Sequence, residues 1–199
     1  MLAVFWSGDG GWAELPDRIG RELARQGVAV VGVNSHRWLG KVPRTPQEAA
    51  HDTERLLRYY LARWDRSTIL LMGFSRGAEF VPFIVNRLPA DLRQRISLAG
   101  LLGAERMASF EFHLSDLVTS TARATDLPAK AEIERSTGVH YFCLYGTREV
   151  NSVCRDLDPV KVTILARVGD HHFDGRYESI VDDLLRAVAS RAAQRDPAR

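Results

Sequence analysis

Gly73-Phe74-Ser75-Arg76-Gly77 is a G-x-S-x-G pentapeptide whose serine has the setting of a nucleophile. It follows the apolar run Ser67-Thr68-Ile69-Leu70-Leu71-Met72 and precedes a helix-compatible stretch from Ala78 to Leu88. Strand, tight turn and helix in that order make a nucleophile elbow, which stands a serine hydroxyl at the sheet edge. A side chain at Gly73 or Gly77 would crowd that turn. The plainer alternative is a glycine-bounded surface turn, which the flanking strand and helix argue against.

A serine hydroxyl needs a base, and the base needs an orienting acid. On a strand-turn-helix scaffold of this kind the chain order is Ser, then Asp/Glu, then His. Gly169-Asp170-His171-His172-Phe173 follows the last strand candidate and supplies the base. Adjacent residues on an extended loop point in roughly opposite directions, so one histidine faces Ser75. His172 is the favoured one, because hydrolases resembling this arrangement usually carry the base directly before an aromatic residue, and His171 is the alternative. Tyr145-Gly146-Thr147-Arg148-Glu149 ends the preceding strand. Glu149 is therefore the leading acid, with Asp156 as its alternative and Asp158 further along the same loop. Asp170, His171, His172 and Asp174 are also metal-ligand types. They lack a distant third ligand of suitable spacing, so no metal or other cofactor is expected. His36, His51 and His140 read as surface or satisfied residues.

The negative charge that develops on an attacked carbonyl needs hydrogen-bond donors. One is expected from the backbone N–H of Arg76, directly after the nucleophile. The second is expected from the glycine-rich loop Ser7-Gly8-Asp9-Gly10-Gly11-Trp12, at Asp9, with Gly8 as runner-up. No G-K-[ST] follows these glycines, which excludes a phosphate-binding loop.

These residues must be held by a regular frame, and the chain alternates strands and helices throughout. Strand candidates are 2–6, 28–33, 68–72, 96–102, 139–145 and 161–166. They are rich in Val, Ile and Leu without polar alternation, as strands buried on both faces are. Helix candidates include 14–26, closed by Gly27, and a final helix from about 177 to 193. Thr45-Pro46-Gln47-Glu48 is a capping box with proline at the first helical position, opening a helix to about Trp64. The fold class predicted is α/β: a doubly wound parallel sheet of about six strands flanked by helices, of the α/β-hydrolase kind. In such sheets the site lies at the carboxyl ends of the strands.

The 199 residues fit one domain, 1–199, with the tail from about 195 frayed. An apolar share of 45% beside a charged share of 26% is that of an ordinary globular protein. No apolar run approaches a membrane span, and Met1 is followed at once by Leu2-Ala3-Val4-Phe5-Trp6 with no basic leader or cleavage site. Net charge is +2, and the only lysines are Lys41, Lys130 and Lys161. The cations are scattered, which argues against nucleic acid, while the mild excess favours contact with anionic lipid. Cys143 lies in a strand and Cys154 in the loop after it. The pair reads equally as a staple in an oxidising compartment or as two unrelated thiols.

Together these segments resemble the VirJ/AcvB family, virulence-associated bacterial proteins with an α/β-hydrolase domain. The resemblance runs nearly the length of the chain. It rests on Ser7-Gly8-Asp9-Gly10-Gly11-Trp12, Arg44-Thr45-Pro46, Gly73-Phe74-Ser75-Arg76-Gly77-Ala78-Glu79 and Phe110-Glu111-Phe112-His113. It continues through Cys143-Leu144-Tyr145-Gly146 with Glu149 and Cys154, and His171-His172-Phe173-Asp174-Gly175. Glu79 stands where that family usually has aspartate. The resemblance implies a periplasmic location, hence a Cys143–Cys154 disulfide. It also implies hydrolysis of aminoacylated phosphatidylglycerol at the membrane surface, chiefly the lysyl form, with secretion-system proteins as further partners.

A cationic acyl group calls for carboxylates near the site. Glu111, Asp116, Asp170 and Asp174 are candidates, and a solvated acidic face is the plainer reading of each. Glu79, one helical turn past Ser75, reads as a buried partner of an arginine or backbone group. Trp12, Glu111 and His113 are the expected substrate contacts. Trp38 can also meet lipid, and Phe110 and Phe112 are either a cap over the pocket or core. Two other functions compete: a general carboxylesterase or thioesterase on small acyl groups, and a noncatalytic periplasmic chaperone linked to secretion.

Overall fold

The computed structural model describes residues 1–40, 42–111 and 123–195. Six strands build one sheet: β1 (Leu2–Trp6), β2 (Ala29–Val33), β3 (Ile69–Phe74), β4 (Ile96–Leu102), β7 (Tyr141–Gly146) and β8 (Val162–Arg167). Their order is β2-β1-β3-β4-β7-β8, and every pairing is parallel. Each strand boundary lies within two residues of its sequence expectation.

The absence of polar alternation has a direct cause. Leu2, Val4 and Trp6 of β1, with Ile69 and Leu71 of β3, enter one core. Ala3 and Phe5, with Leu70 and Met72, enter a second core on the opposite face. The first is covered by α3 (Pro46–Arg63) and α4 (Arg76–Arg87), the second by α1 (Glu14–Arg25) and α7 (Tyr177–Arg195). Both faces of the sheet are dry, so both residue parities are apolar. Arg18 of α1 and Glu178 of α7 close the second layer at 2.9 Å.

Helix starts follow their local chemistry. Thr45 Oγ1 accepts the Glu48 N–H at 3.2 Å, and Glu48 Oε2 accepts the Thr45 N–H at 2.8 Å, completing the capping box before Pro46. Short elements escaped the sequence reading. They are α2 (Ser35–Leu39), α5 (Ala90–Arg93), α6 (Ala129–Glu134) and the two-residue antiparallel ladder of β5 (Met107–Ala108) with β6 (Leu127–Pro128). Elements of two to six residues are too short for a hydrophobic period to register.

Order in the sheet locates the site. The chain leaves β1 to form β2 on one side, then returns to form β3 on the other. The β1–β3 boundary is therefore the point where winding reverses, and the loops after those strands diverge there to leave a crevice. Those loops are Ser7–Trp12 and the Ser75 turn, with Trp6 paired to Gly73 beneath them.

Cys143 of β7 and Cys154 of a short 3-10 helix, Val153–Asp156, are joined by a disulfide across a sequence separation of 11. It ties the loop that carries Glu149 back to the sheet. Closing a loop of this length constrains the unfolded chain by about 3 kcal/mol in the chain-entropy account. Urea unfolding with and without reductant should show that loss, and coincident curves would remove the disulfide from the stability balance.

Candidate active site

Ser75 connects β3 to α4 with φ 54° and ψ −126°. A non-glycine residue in this region is strained by roughly 1–3 kcal/mol, and such strain is kept at functional turns. The neighbours leave no room for another path. A Cβ on Gly73 would stand 2.2 Å from the Gly77 carbonyl, and one on Gly77 would stand 2.3 Å from the Trp6 carbonyl oxygen. The helix therefore starts at once, at Arg76 rather than at Ala78 as the sequence suggested. The Ser75 N–H donates to the Leu102 carbonyl at 2.8 Å, fixing the turn to the end of β4.

Beside that point lies a histidine–carboxylate pair. His171 Nδ1 is 2.5 Å from Glu149 Oε1. Glu149 is itself fixed, because its Oε2 accepts the Gly146 N–H at 2.5 Å. With Nδ1 donating to a carboxylate, Nε2 is the lone-pair nitrogen of the ring and can accept a proton. The His171 ring packs on Phe74, the residue before Ser75, with centroids 4.8 Å apart. A Cβ on Gly103, next along from Leu102, would stand 2.9 Å from His171 Cε1. Serine turn and imidazole are thus held against the same end of β4.

The histidine that pairs with Glu149 is the alternative, His171, and not the favoured His172. His172 is exposed, and its backbone N–H donates to Asp170 Oδ1 at 2.9 Å. The side chain that meets the carboxylate belongs to His171. The physical reason is the turn itself: Phe173 has φ 55° and Asp174 φ 50°. Phe173 is driven into the core at 1% exposure, which rolls His172 outward and His171 inward. The alternative acid, Asp156, has a different partner. Asp156 is bound by Arg106 through Nε at 2.5 Å and Nη2 at 3.1 Å, and this arginine holds its carboxyl below the usual range.

Opposite the histidine, Gly8 of the β1 loop approaches the nucleophile. A Cβ there would lie 3.0 Å from Ser75 Cβ. The next residue, Asp9, sends its carboxylate to Arg76, whose Nε is 2.5 Å from Asp9 Oδ1. Arg76 is 7% exposed although it carries a full charge. Its Nη1 donates to the carbonyls of Ser109 and Glu111 at 3.1 and 3.0 Å. Ser75 is thus flanked by the start of α4 and by the Gly8–Asp9 turn.

The expected substrate contacts fare unevenly. Trp12 fills the gap between α1 and the sheet. Its ring meets Phe5 edge-on at 5.6 Å, and a Cβ on Gly32 would stand 2.6 Å from it. Its indole N–H donates to Asp17 at 3.3 Å. The long indole covers the two glycines Gly20 and Gly32, which gives Trp12 a packing role. Glu111 is half-buried, with its carbonyl turned to Arg76. Phe110 stacks on Phe80 at 4.6 Å and belongs to the core. His113, Phe112 and Asp116 lie outside the described residues. Asp170 and Asp174 stand 3.7 and 3.4 Å from Arg148. Trp38 lines an open, mainly apolar groove of about 630 Å³ with Trp6, Leu56, Tyr59 and Tyr60. Among the described residues no group of His, Cys, Asp or Glu is arranged to hold a metal ion, and no helix is long and apolar enough to cross a membrane.

Glu79, one turn along α4, is 7% exposed. Burial pushes its carboxyl up to about 8; Glu105 and Asp9 add to the rise, while Arg76 and the Glu105 backbone N–H oppose it. Its ordinary value is 4.5, so folding takes up a proton between about pH 4.5 and 8. The resulting stability is complete below that window and is lost as pH rises through it. Glu79→Gln keeps the shape of the protonated acid. The native chain should therefore lose on the order of a few kcal/mol relative to Glu79→Gln between pH 5 and pH 9. Urea midpoints at both pH values measure this, and parallel changes in the two proteins would refute it.

Comparison with known proteins follows the same lines. The family model described as "Bacterial virulence protein (VirJ)" matches residues 1–192. Solved structures of α/β hydrolases are similar across almost the whole chain. An esterase from Pyrococcus furiosus has 14% identity and a TM-score of 0.63, covering 93% of this chain and 82% of its own. A structure from a study of carboxylesterases of Nitrososphaera gargenis has 14% identity and a TM-score of 0.63, with coverages of 97% and 91%. An alpha-beta hydrolase from Vibrio vulnificus has 14% identity and a TM-score of 0.62, with coverages of 94% and 73%. At these identities the likeness is one of fold. Comparison with curated proteins by sequence gives no match.

Proposed function

The chain belongs to the VirJ family of bacterial virulence proteins, and on that premise we propose that it is a serine hydrolase cleaving the aminoacyl ester of aminoacylated phosphatidylglycerol. The lysyl form is the leading substrate. The observation that carries the catalytic part is the conjunction of a strained Ser75 with a Glu149-bound His171 at one end of β4. The lipid part rests on the family resemblance. It is supported by the open, mainly apolar groove of Trp38, Leu56, Tyr59 and Tyr60, whose wall also carries Asp52, Arg55 and Arg58.

In this mechanism His171 Nε2 takes the Ser75 proton as Oγ attacks the aminoacyl carbonyl. The backbone amides of Arg76 and Asp9 hold the oxyanion. His171 then protonates the departing glycerol oxygen, leaving the amino acid esterified to Ser75. Water, deprotonated by the same nitrogen, attacks that ester and frees the amino acid and the serine. Glu149 keeps the imidazole in the right tautomer and stabilises its cation. The enzyme would work in the periplasm, at the lipid surface.

The test is amino-acid release from vesicles containing lysyl-phosphatidylglycerol. Release stoichiometric with phosphatidylglycerol formation is expected, and intact lipid after prolonged incubation would reject the substrate. Rapid turnover of p-nitrophenyl acetate without release from the vesicles would favour the general esterase or thioesterase reading, which the esterase-like fold also supports.

A further inference from the structure

Arg76 follows the nucleophile, and its backbone N–H is the expected oxyanion donor. Its side chain does something separate. It starts from the first residue of α4 and is almost fully buried, at 7% exposure. Nε lies 2.5 Å from Asp9 Oδ1; both atoms are out of reach of solvent, and the contact is an ion pair without the alignment of a hydrogen bond. Nη1 reaches past it to the Ser109 and Glu111 carbonyls. One planar guanidinium thus joins three segments far apart in sequence: the nucleophile turn, the β1 loop and the stretch Ser109-Phe110-Glu111. Phe80, four residues on and on the same helix face, stacks on Phe110 and adds a second anchor to that stretch.

The segment so held is the one that must offer the second oxyanion donor. Gly8, Gly10 and Gly11 surround Asp9, so this loop has little intrinsic stiffness. The Gly11 N–H donates to the Gly8 carbonyl at 3.0 Å, which closes the loop on itself but does not tie it to α4. The Asp9–Arg76 ion pair supplies such a tie. Oxyanion donors act only when preorganised, and displacement by about an ångström is costly in rate.

We propose that the Arg76 side chain is a positioning group, clamping the Asp9 carboxylate so that the β1-loop amide stays aimed at the oxyanion above Ser75. This rests on the serine-hydrolase reading, and it concerns how the hole is held rather than which acyl group is cut. A lysine is a poor replacement, because a single ammonium cannot hold a carboxylate and two carbonyls in the fork geometry of guanidinium.

The experiment compares the native chain with Asp9→Asn, Arg76→Lys and the double variant. Two readouts are the rate of covalent labelling of Ser75 by a fluorophosphonate and the kcat and KM for a p-nitrophenyl ester. Each single variant should lower labelling and kcat by about 10- to 100-fold with KM changed less than about threefold. The double variant should lose less than the product of the two single losses, since the Asp9–Arg76 contact is weakened in all three. Arg76→Ala is avoided, because it leaves the half-buried Asp9 carboxylate without its arginine. Unfolding midpoints of all variants separate misfolding from loss of alignment. Ser75-dependent labelling that is equally fast in native and variant chains would overturn the clamp and leave the hydrolase reading intact. Additive losses in the double variant would also overturn it. Failure of the fluorophosphonate to label Ser75 in the native chain would overturn both.

Discussion

Ser75→Ala should abolish amino-acid release from lysyl-phosphatidylglycerol vesicles, lowering kcat by about ten-thousand-fold or more. The loss is large because the acyl-enzyme route needs the hydroxyl itself. The backbone geometry that presents it is set by other groups. The turn at φ 54° is imposed by the close approach of Gly73 and Gly77 and by the Leu102 carbonyl, none of which the substitution touches. Stability should therefore change by less than about 1 kcal/mol. Removing one hydroxyl opens no sizeable cavity at a half-exposed position. Circular dichroism and urea unfolding check the fold while product release checks the chemistry. Near-native turnover by Ser75→Ala would sink the mechanism. A virulence or secretion phenotype unaffected by Ser75→Ala would instead favour the noncatalytic chaperone reading.

The second large effect separates adjacent residues. His171→Ala should cost about ten-thousand-fold in kcat, whereas His172→Ala should stay within about threefold. His171 holds the Glu149 carboxylate and packs on Phe74, while His172 is exposed with its ring 5.9 Å from that phenyl. A steady-state assay on any cleaved ester suffices, because both variants share the substrate-binding surface. The reverse ranking would return the base to His172 and leave the Glu149–His171 contact as a structural ion pair. The comparison also bears on Glu149. If His171 is the base, the carboxylate sets its tautomer, and Glu149→Gln should follow His171→Ala in direction.

Glu79 and the Arg76 cluster belong to the same layer beneath the crevice. A carboxylic acid kept protonated at neutral pH, an arginine and two further carboxylates surround the first turn of α4. Burying such groups together is costly unless each is matched. Here the arginine is shared among the elements that must not move relative to Ser75.

Much of this was legible in the sequence, for reasons that differ from element to element. Fully apolar strands without alternation announce a sheet covered on both faces, since a strand's two faces are its two residue parities. G-x-S-x-G between a strand and a helix announces the elbow, because only glycines fit where Gly73 and Gly77 touch neighbouring backbone. Thr45-Pro46-Gln47-Glu48 fixes a helix start through hydrogen bonds four residues long. All of these are local: the partners are close in sequence or the constraint is on the backbone itself. What the tertiary structure alone decided is side-chain direction across long separations. His171 rather than His172 meets Glu149 because two left-handed residues, Phe173 and Asp174, turn the loop after both histidines have been passed. Asp156 is lost to Arg106, 50 residues away, and Trp12 to the glycines of α1 and β2. In the sequence Arg76 is singled out only for its backbone N–H. Its burial, and its grip on Asp9 and the 109–111 stretch, exist only once three distant segments converge on the sheet edge. Local propensities fix which backbone is built, and the packing of that backbone fixes which of several chemically equivalent side chains reaches the site.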